Sequence, residues 1–216
     1  MISLRVPYPT IQHGAALSYG GSQMWAESET IRKCGCGPVA AYDLLMYMTG
    51  RQQQRSSVPL DVSDYNRELA QLCRKVFPLI PPFGINGLML VAGLNYLFKK
   101  NALPYHARWM FTGKRLWDRV EEMLQQDIPV ILAVGPNFPL VWGKHTVSFY
   151  ARKRDGSYFP SSAAKAHYVT VTGMDETWLR ISSWGQCYYI RKDEYTQYNK
   201  EYSTYLFSNI VYIKRI

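Results

Sequence analysis

Cys36 has the setting of a residue built for covalent chemistry. It opens the run Cys36-Gly37-Pro38-Val39-Ala40-Ala41. A thiolate attacks carbonyl carbon well and a thiol does not, so something must lower the thiol pKa. The unpaired N–H groups and aligned peptide dipoles of a helix start do this. The sequence predicts such a start. Val39, Ala40, Leu44, Leu45 and Met48 fall at helical spacing over 37–48, Pro38 suits a first turn and Gly50 suits a stop. Gly37 admits a close neighbour. An imidazole beside the thiol would pair with it as an ion pair and then protonate a leaving group. Four histidines compete for that role: His13 in a Gly-rich arm, His106 in a strand-like segment, and His145 and His167, each opening a strand. The pairing is spatial, so spacing along the chain does not choose between His145 and His167.

A blander reading competes with this one. A lone Cys is usually a small buried hydrophobe. Gly35, Gly37, Ala40 and Ala41 would serve tight helix packing equally well. Cys34 and Cys36 are too close for an easy mutual disulfide, and no second Cys or His pair lies nearby to complete a metal site. The pattern therefore calls for no metal and no cofactor.

Several motifs in order resemble a known group. Lys33-Cys34-Gly35-Cys36-Gly37-Pro38-Val39-Ala40-Ala41 resembles the helix start Gly-Cys-Gly-Pro-Thr-(Ser/Ala) of bacterial papain-like cysteine peptidases. The branch it resembles is that of the bacteriocin leader (double-glycine) peptidases. Ala166-His167-Tyr168-Val169-Thr170-Val171-Thr172-Gly173 is similar to that group's His strand. Asp127-Ile128-Pro129-Val130-Ile131-Leu132 is similar to the strand between helix and His, and Ile181-Ser182-Ser183-Trp184-Gly185 to the Asn-Ser-Trp-Gly of papain itself. The match spans roughly residues 20–190. It implies a helical lobe and a sheet lobe with a cleft between them, Cys36 as nucleophile and His167 as base. It also implies an upstream Gln that helps the Cys backbone N–H hold an oxyanion. Gln23 in Gly-Gly-Ser-Gln-Met-Trp is the first choice and Gln12 the second. The third member departs from the pattern. Fifteen residues after His167, where the family has Asp or Asn, stands Ser182, with Ser183 beside it. A serine hydroxyl is uncharged and stabilises an imidazolium less than a carboxylate. Asp175 lies on the turn after the His strand, too near its end to serve. Trp184 would shield the imidazole from water.

The elements that must hold these residues are helical first and stranded second. Residues 1–33 read as an extended arm and loop, and 51–60 as a loop. Helices are expected over Ser63–Val76, from an Asn86 cap to about Lys100, and from a Thr112 cap to about Gln126. Strands are expected over Pro129–Val134, Thr146–Ala151 with Tyr158 across the Arg154-Asp155-Gly156-Ser157 turn, His167–Thr172, Trp178–Ser182, Cys187–Ile190 and Asn209–Ile213. That order predicts an α+β fold in a single papain-like domain over 1–216, helical over about 34–126 and sheet over about 129–216.

Composition narrows the function classes. With 47% hydrophobic residues among 216, the chain can bury a sizeable core. Twenty-five Lys and Arg against 16 Asp and Glu give +9, but the basic residues come as scattered pairs, the densest being Arg152-Lys153-Arg154 at a hairpin flank. A solvated basic surface is the better reading, and nucleic-acid binding ranks last. Four Cys without a framework favour a reducing compartment. The start Met1-Ile2-Ser3-Leu4-Arg5 has no apolar signal core, and no stretch reaches membrane-spanning length, so the expectation is a cytoplasmic protein with no membrane partner. The expected partner is a peptide or small amide substrate. An acyl transferase on the same chemistry and a catalytically weak or inactive binding domain are the alternatives. Oligomeric state is not legible.

Overall fold

The computed structural model describes residues 1–52 and 59–216; most of the loop expected over 51–60 lies outside the described residues. The chain runs β1 (Ile2–Ser3), β2 (Ile11–His13), β3 (Ala16–Leu17), a 3-10 turn (Gln23–Trp25), α1 (Glu29–Cys34), α2 (Cys36–Gln52), β4 (Leu60–Asp61), α3 (Val62–Lys75), α4 (Gly87–Lys100), β5 (Tyr105–Trp109), α5 (Leu116–Gln125), β6 (Val130–Val134), β7 (Val147–Arg152), β8 (Tyr158–Ala164), β9 (His167–Met174), β10 (Trp178–Ser183), β11 (Gln186–Arg191), α6 (Lys192–Glu201) and β12 (Ile210–Arg215). This is an α+β fold, helices largely preceding one large antiparallel sheet. Among the described residues no helix is long and apolar enough to cross a membrane.

Local chemistry sets the helix ends. Asp61 caps α3 by accepting from the Ser63 N–H at 2.8 Å, and Asn86 caps α4 by accepting from the Met89 N–H at 2.9 Å. The helix expected from Thr112 starts later. Arg115 takes a left-handed backbone (φ 60°) that breaks the helical run, and α5 begins at Leu116, while the Thr112 carbonyl accepts from the Asn209 side chain instead. α2 runs through Gly50 to Gln52 rather than stopping at the glycine. Two helices lie where none was expected: α1 inside the supposed arm, and α6 after β11.

The large sheet has the order β5-β12-β6-β9-β10-β11-β7-β8, and β1 also pairs with β9. β9 is central and buried along nearly its whole length. β6 lies antiparallel on one side, with Val134 opposite His167, and β10 on the other. The principal core lies between this sheet and α2, α4 and α5, filled by residues such as Leu44, Met48, Leu90, Leu94, Val120, Val171 and Ile181. A smaller cluster of Ile11, Ile31, Val39, Tyr65 and Leu69 ties α1 and α3 to the other flank of α2. α2 is thus packed on two sides, and its first residue is delivered to the start of β9. Gly37 is what permits the approach: a Cβ there would meet Ile85 Cγ2 at 2.5 Å and the Tyr168 ring at 3.3 Å.

Candidate active site

Cys36 is the first residue of α2, one residue beyond the Gly35 cap of α1. Its thiol is free, as are Cys34, Cys73 and Cys187. Around the sulfur stand the backbone N–H groups of Cys36 and Gly37 from the helix start and of Tyr168 from β9, each favouring the thiolate. Tyr168 directly follows His167. Cys36, His167, Gln23 and Ser183 line one small pocket, together with Asp43, Thr170, Ser182 and Trp184. The cavity is about 10 Å³, room for a single water.

His167 is buried at the start of β9. Its Nε2 meets Ser183 Oγ at 2.8 Å, and the Trp184 indole stacks on the ring with centroids 4.5 Å apart and planes 21° from parallel. The imidazole's partner is therefore Ser183, not Ser182. The cause is a register shift. Arg180 pairs with Gly173 but Ile181 pairs with Val171, so β9 bulges by one residue at Thr172. Without the bulge Ser182 would sit opposite Val171 and share the face of His167. With it, Ser182 falls opposite Thr170, on the other face, and Ser183 takes the side of His167. Ser182 Oγ donates instead to the Tyr19 carbonyl at 2.8 Å.

Gln23 is buried in the 3-10 turn, and its Nε2 donates to the Arg32 carbonyl at 3.0 Å. That bond uses one of two amide hydrogens and ties Gln23 to the segment leading into Cys36. Gln12 is exposed, bonds locally to Gly14 O and is not among the pocket residues. The other histidines stand elsewhere. His145 stacks flat on Tyr202 with centroids 3.7 Å apart, His13 lies against Trp25, and His106 is an exposed residue of the edge strand β5. Asp175 holds the β9–β10 turn by accepting from the Thr177 and Trp178 N–H groups.

The electrostatics differ from the sequence expectation of an ion pair. Burial pushes the Cys36 thiol up despite three N–H groups, and burial pulls His167 down to about 4. At neutral pH the two rest as thiol and neutral imidazole. A resting pair of this kind holds no preformed thiolate, so any attack by the sulfur would need a base to take its proton. A further pocket residue, Asp43, stands wholly buried on α2 outside every motif of the sequence. Desolvation pushes its carboxyl up to about 7, against N–H and O–H donors from Gly21, Tyr65 and Tyr8 that favour the carboxylate. The signal for it was its place seven residues after Cys36, which puts both on one helix face.

No protein-family model matches the chain, and neither a curated protein nor a solved structure matches it. The functional reading therefore rests on the site.

Proposed function

We propose that this protein is a papain-like cysteine hydrolase that cleaves a peptide or related amide bond, with Cys36 as nucleophile and His167 as base. One observation carries the reading: a helix-start cysteine shares its pocket with an imidazole oriented from behind by a hydroxyl, and the backbone N–H next to that imidazole points at the sulfur.

In the tautomer the reaction needs, His167 Nε2–H donates to Ser183 Oγ, leaving Nδ1 as the basic nitrogen. The thiol of Cys36 adds to the substrate carbonyl carbon while Nδ1 takes the sulfur's proton. The carbonyl oxygen becomes an oxyanion, which the Cys36 N–H and the spare Nε2 hydrogen of Gln23 receive. Collapse breaks the C–N bond, and the imidazolium protonates the departing amine. Water, deprotonated by His167, then hydrolyses the thioester and restores the thiol. A bound amine in place of water would give acyl transfer. Trp184 over the ring keeps bulk water from the imidazole–hydroxyl bond.

A second reading, a slow or non-catalytic binding domain, is favoured by the neutral resting pair and by an uncharged Ser183 where a carboxylate would better hold an imidazolium. Acylation by an activated ester separates the two. The expected result is an acyl adduct on the Cys36 peptide by mass spectrometry, absent in Cys36→Ala. His167→Ala should slow its formation by about 100-fold or more. Labelling spread equally over Cys34, Cys73 and Cys187, or untouched by His167→Ala, would assign the protein to the second reading.

A further inference from the structure

Asp43 and Cys36 share one face of α2, about 10 Å apart along the axis. The carboxyl's hydrogen bonds run to the loop that leads into Gln23 and to two tyrosines. Asp43 Oδ2 accepts from the Gly21 N–H at 2.9 Å, two residues before Gln23. It also faces Tyr8 OH at 3.4 Å, and Oδ1 accepts from Tyr65 OH at 3.0 Å. The Gly20-Gly21 segment is pressed so tightly onto this group that no side chain fits. A Cβ on Gly20 would overlap Asp43 Oδ2 and Ser182 Oγ, and one on Gly21 would overlap Tyr65 OH. The loop's other flank is tied to the turn after Trp184: Tyr19 N–H donates to Gly185 O at 2.8 Å and Gly185 N–H to Gly21 O at 2.9 Å. Ser182, sent to this side by the β9 bulge, adds its bond to Tyr19 O.

We propose that Asp43 is a positioning residue of the site: by holding the Gly21 N–H from the helix that carries Cys36, it fixes the distance between Gln23 and the nucleophile. The Tyr65 and Tyr8 hydroxyls share this carboxyl, but the Gly21 N–H is the donor that ties it to the segment carrying Gln23. An apolar residue would pack into α2 without the cost of desolvating a carboxyl, but it would leave the Gly21 N–H of a buried loop without this acceptor. The raised Asp43 pKa fits this cost and does not by itself establish the role.

The proposal rests on the reading of Cys36 as nucleophile and Gln23 as oxyanion donor, and the test separates the two. Two reactions of Cys36 are followed in wild type, Asp43→Leu and Tyr65→Phe: acylation by an activated ester, which develops an oxyanion, and alkylation by iodoacetamide, which does not. Asp43→Leu keeps the bulk and removes the acceptor, so it should slow acylation about 10-fold or more while alkylation stays near the wild-type rate, short of the ~100-fold or greater cost of removing a donor outright. Tyr65→Phe takes a hydroxyl from the same carboxyl but leaves the Gly21 N–H its acceptor, so it should lower stability and leave the ratio of the two rates unchanged. An unchanged ratio in Asp43→Leu, or an equal change in Tyr65→Phe, overturns the proposal. If wild-type Cys36 alkylates but never acylates, the hydrolase reading is what fails. Amide exchange then reads the positioning without turnover. In the wild type the Gly21 amide should be protected, and in Asp43→Leu exchange should quicken over Gly21–Gln23 and not elsewhere on α2. A freely exchanging Gly21 in the wild type, which needs no variant to fold, sinks the idea.

Discussion

At the scale of residues, the proposed nucleophile and base are a thiol and an imidazole that burial keeps neutral. The helix start supplies two N–H groups and β9 a third, yet enclosure outweighs them and holds the thiol above its ordinary range. His167, drawn down to about 4, offers no cation across neutral pH to compensate. A testable consequence concerns alkylation of Cys36 against pH. A thiolate–imidazolium pair would give a rate plateau from mildly acid to neutral pH. Here the rate should instead climb with pH through neutrality and past the ordinary thiol pKa of 9.0, since only the deprotonated sulfur reacts. A plateau below neutrality would show that the ion pair forms after all. The types of these residues were legible in the sequence: a Cys before a helix, a His opening a strand, a Gln upstream. The partner of the imidazole was not. Ser182 and Ser183 differ only in strand parity, and one bulged residue at Thr172 decides the matter. No propensity or spacing rule reports a bulge in advance, because it is set by how β9 and β10 twist against each other.

At the scale of elements, what could be read was what local chemistry determines. α3 and α4 start at Asp61 and Asn86, whose side chains cap them, and the turn between β7 and β8 is the Asp-Gly signal expected. What escaped was determined by tertiary contact. α6 hides its buried face in Tyr195, Tyr198 and Asn199, residue types that read as strand or loop. α1 has six residues, too few to show periodicity, and stands because Ser28 caps it and α2 continues from it. A further device, also invisible in the sequence, guards the edge of the sheet. β5 is the outermost strand beyond β12, and Asn95 on α4 closes its free side: Asn95 Nδ2 donates to Ala107 O at 3.1 Å and Oδ1 accepts from Ala107 N at 2.7 Å. Replacing Asn95 by Ala orphans both groups of a buried strand residue. It should cost about 1–3 kcal/mol in thermal or denaturant unfolding. It should also raise aggregation, because an open edge is a template for another strand. An Asn95→Ala protein as stable and as monodisperse as wild type would deny the side chain this role.

At the scale of the whole molecule, two buried groups in one pocket oppose each other in the pH dependence of stability. Asp43 holds its proton up to about 7 in the folded protein, against an ordinary 3.8. The native state therefore binds that proton more tightly than the unfolded chain, and the stability this gives, complete below 3.8, is lost as pH rises toward about 7. His167 works the other way. Its pKa is about 4 in the fold against an ordinary 6.5, so its contribution is complete above 6.5 and is lost as pH falls toward about 4. The effects are about 4 kcal/mol for Asp43 and about 3 kcal/mol for His167, and between pH 4 and 6.5 their slopes nearly cancel. Exposed carboxylates such as Asp61, Asp155 and Asp193 add their own slopes, but a comparison of variants removes what they share. Unfolding free energies measured by denaturant across this range should be nearly flat for Asp43 and His167 together. Asp43→Asn removes the falling contribution, so the difference between variant and wild type should grow in the variant's favour as pH rises from 4 to 7. His167→Phe removes the rising one and should move the difference in the opposite sense. Parallel curves for Asp43→Asn and wild type would mean that Asp43 is solvated enough to titrate normally. The cost of burying a carboxyl two turns along α2 from Cys36 would then vanish.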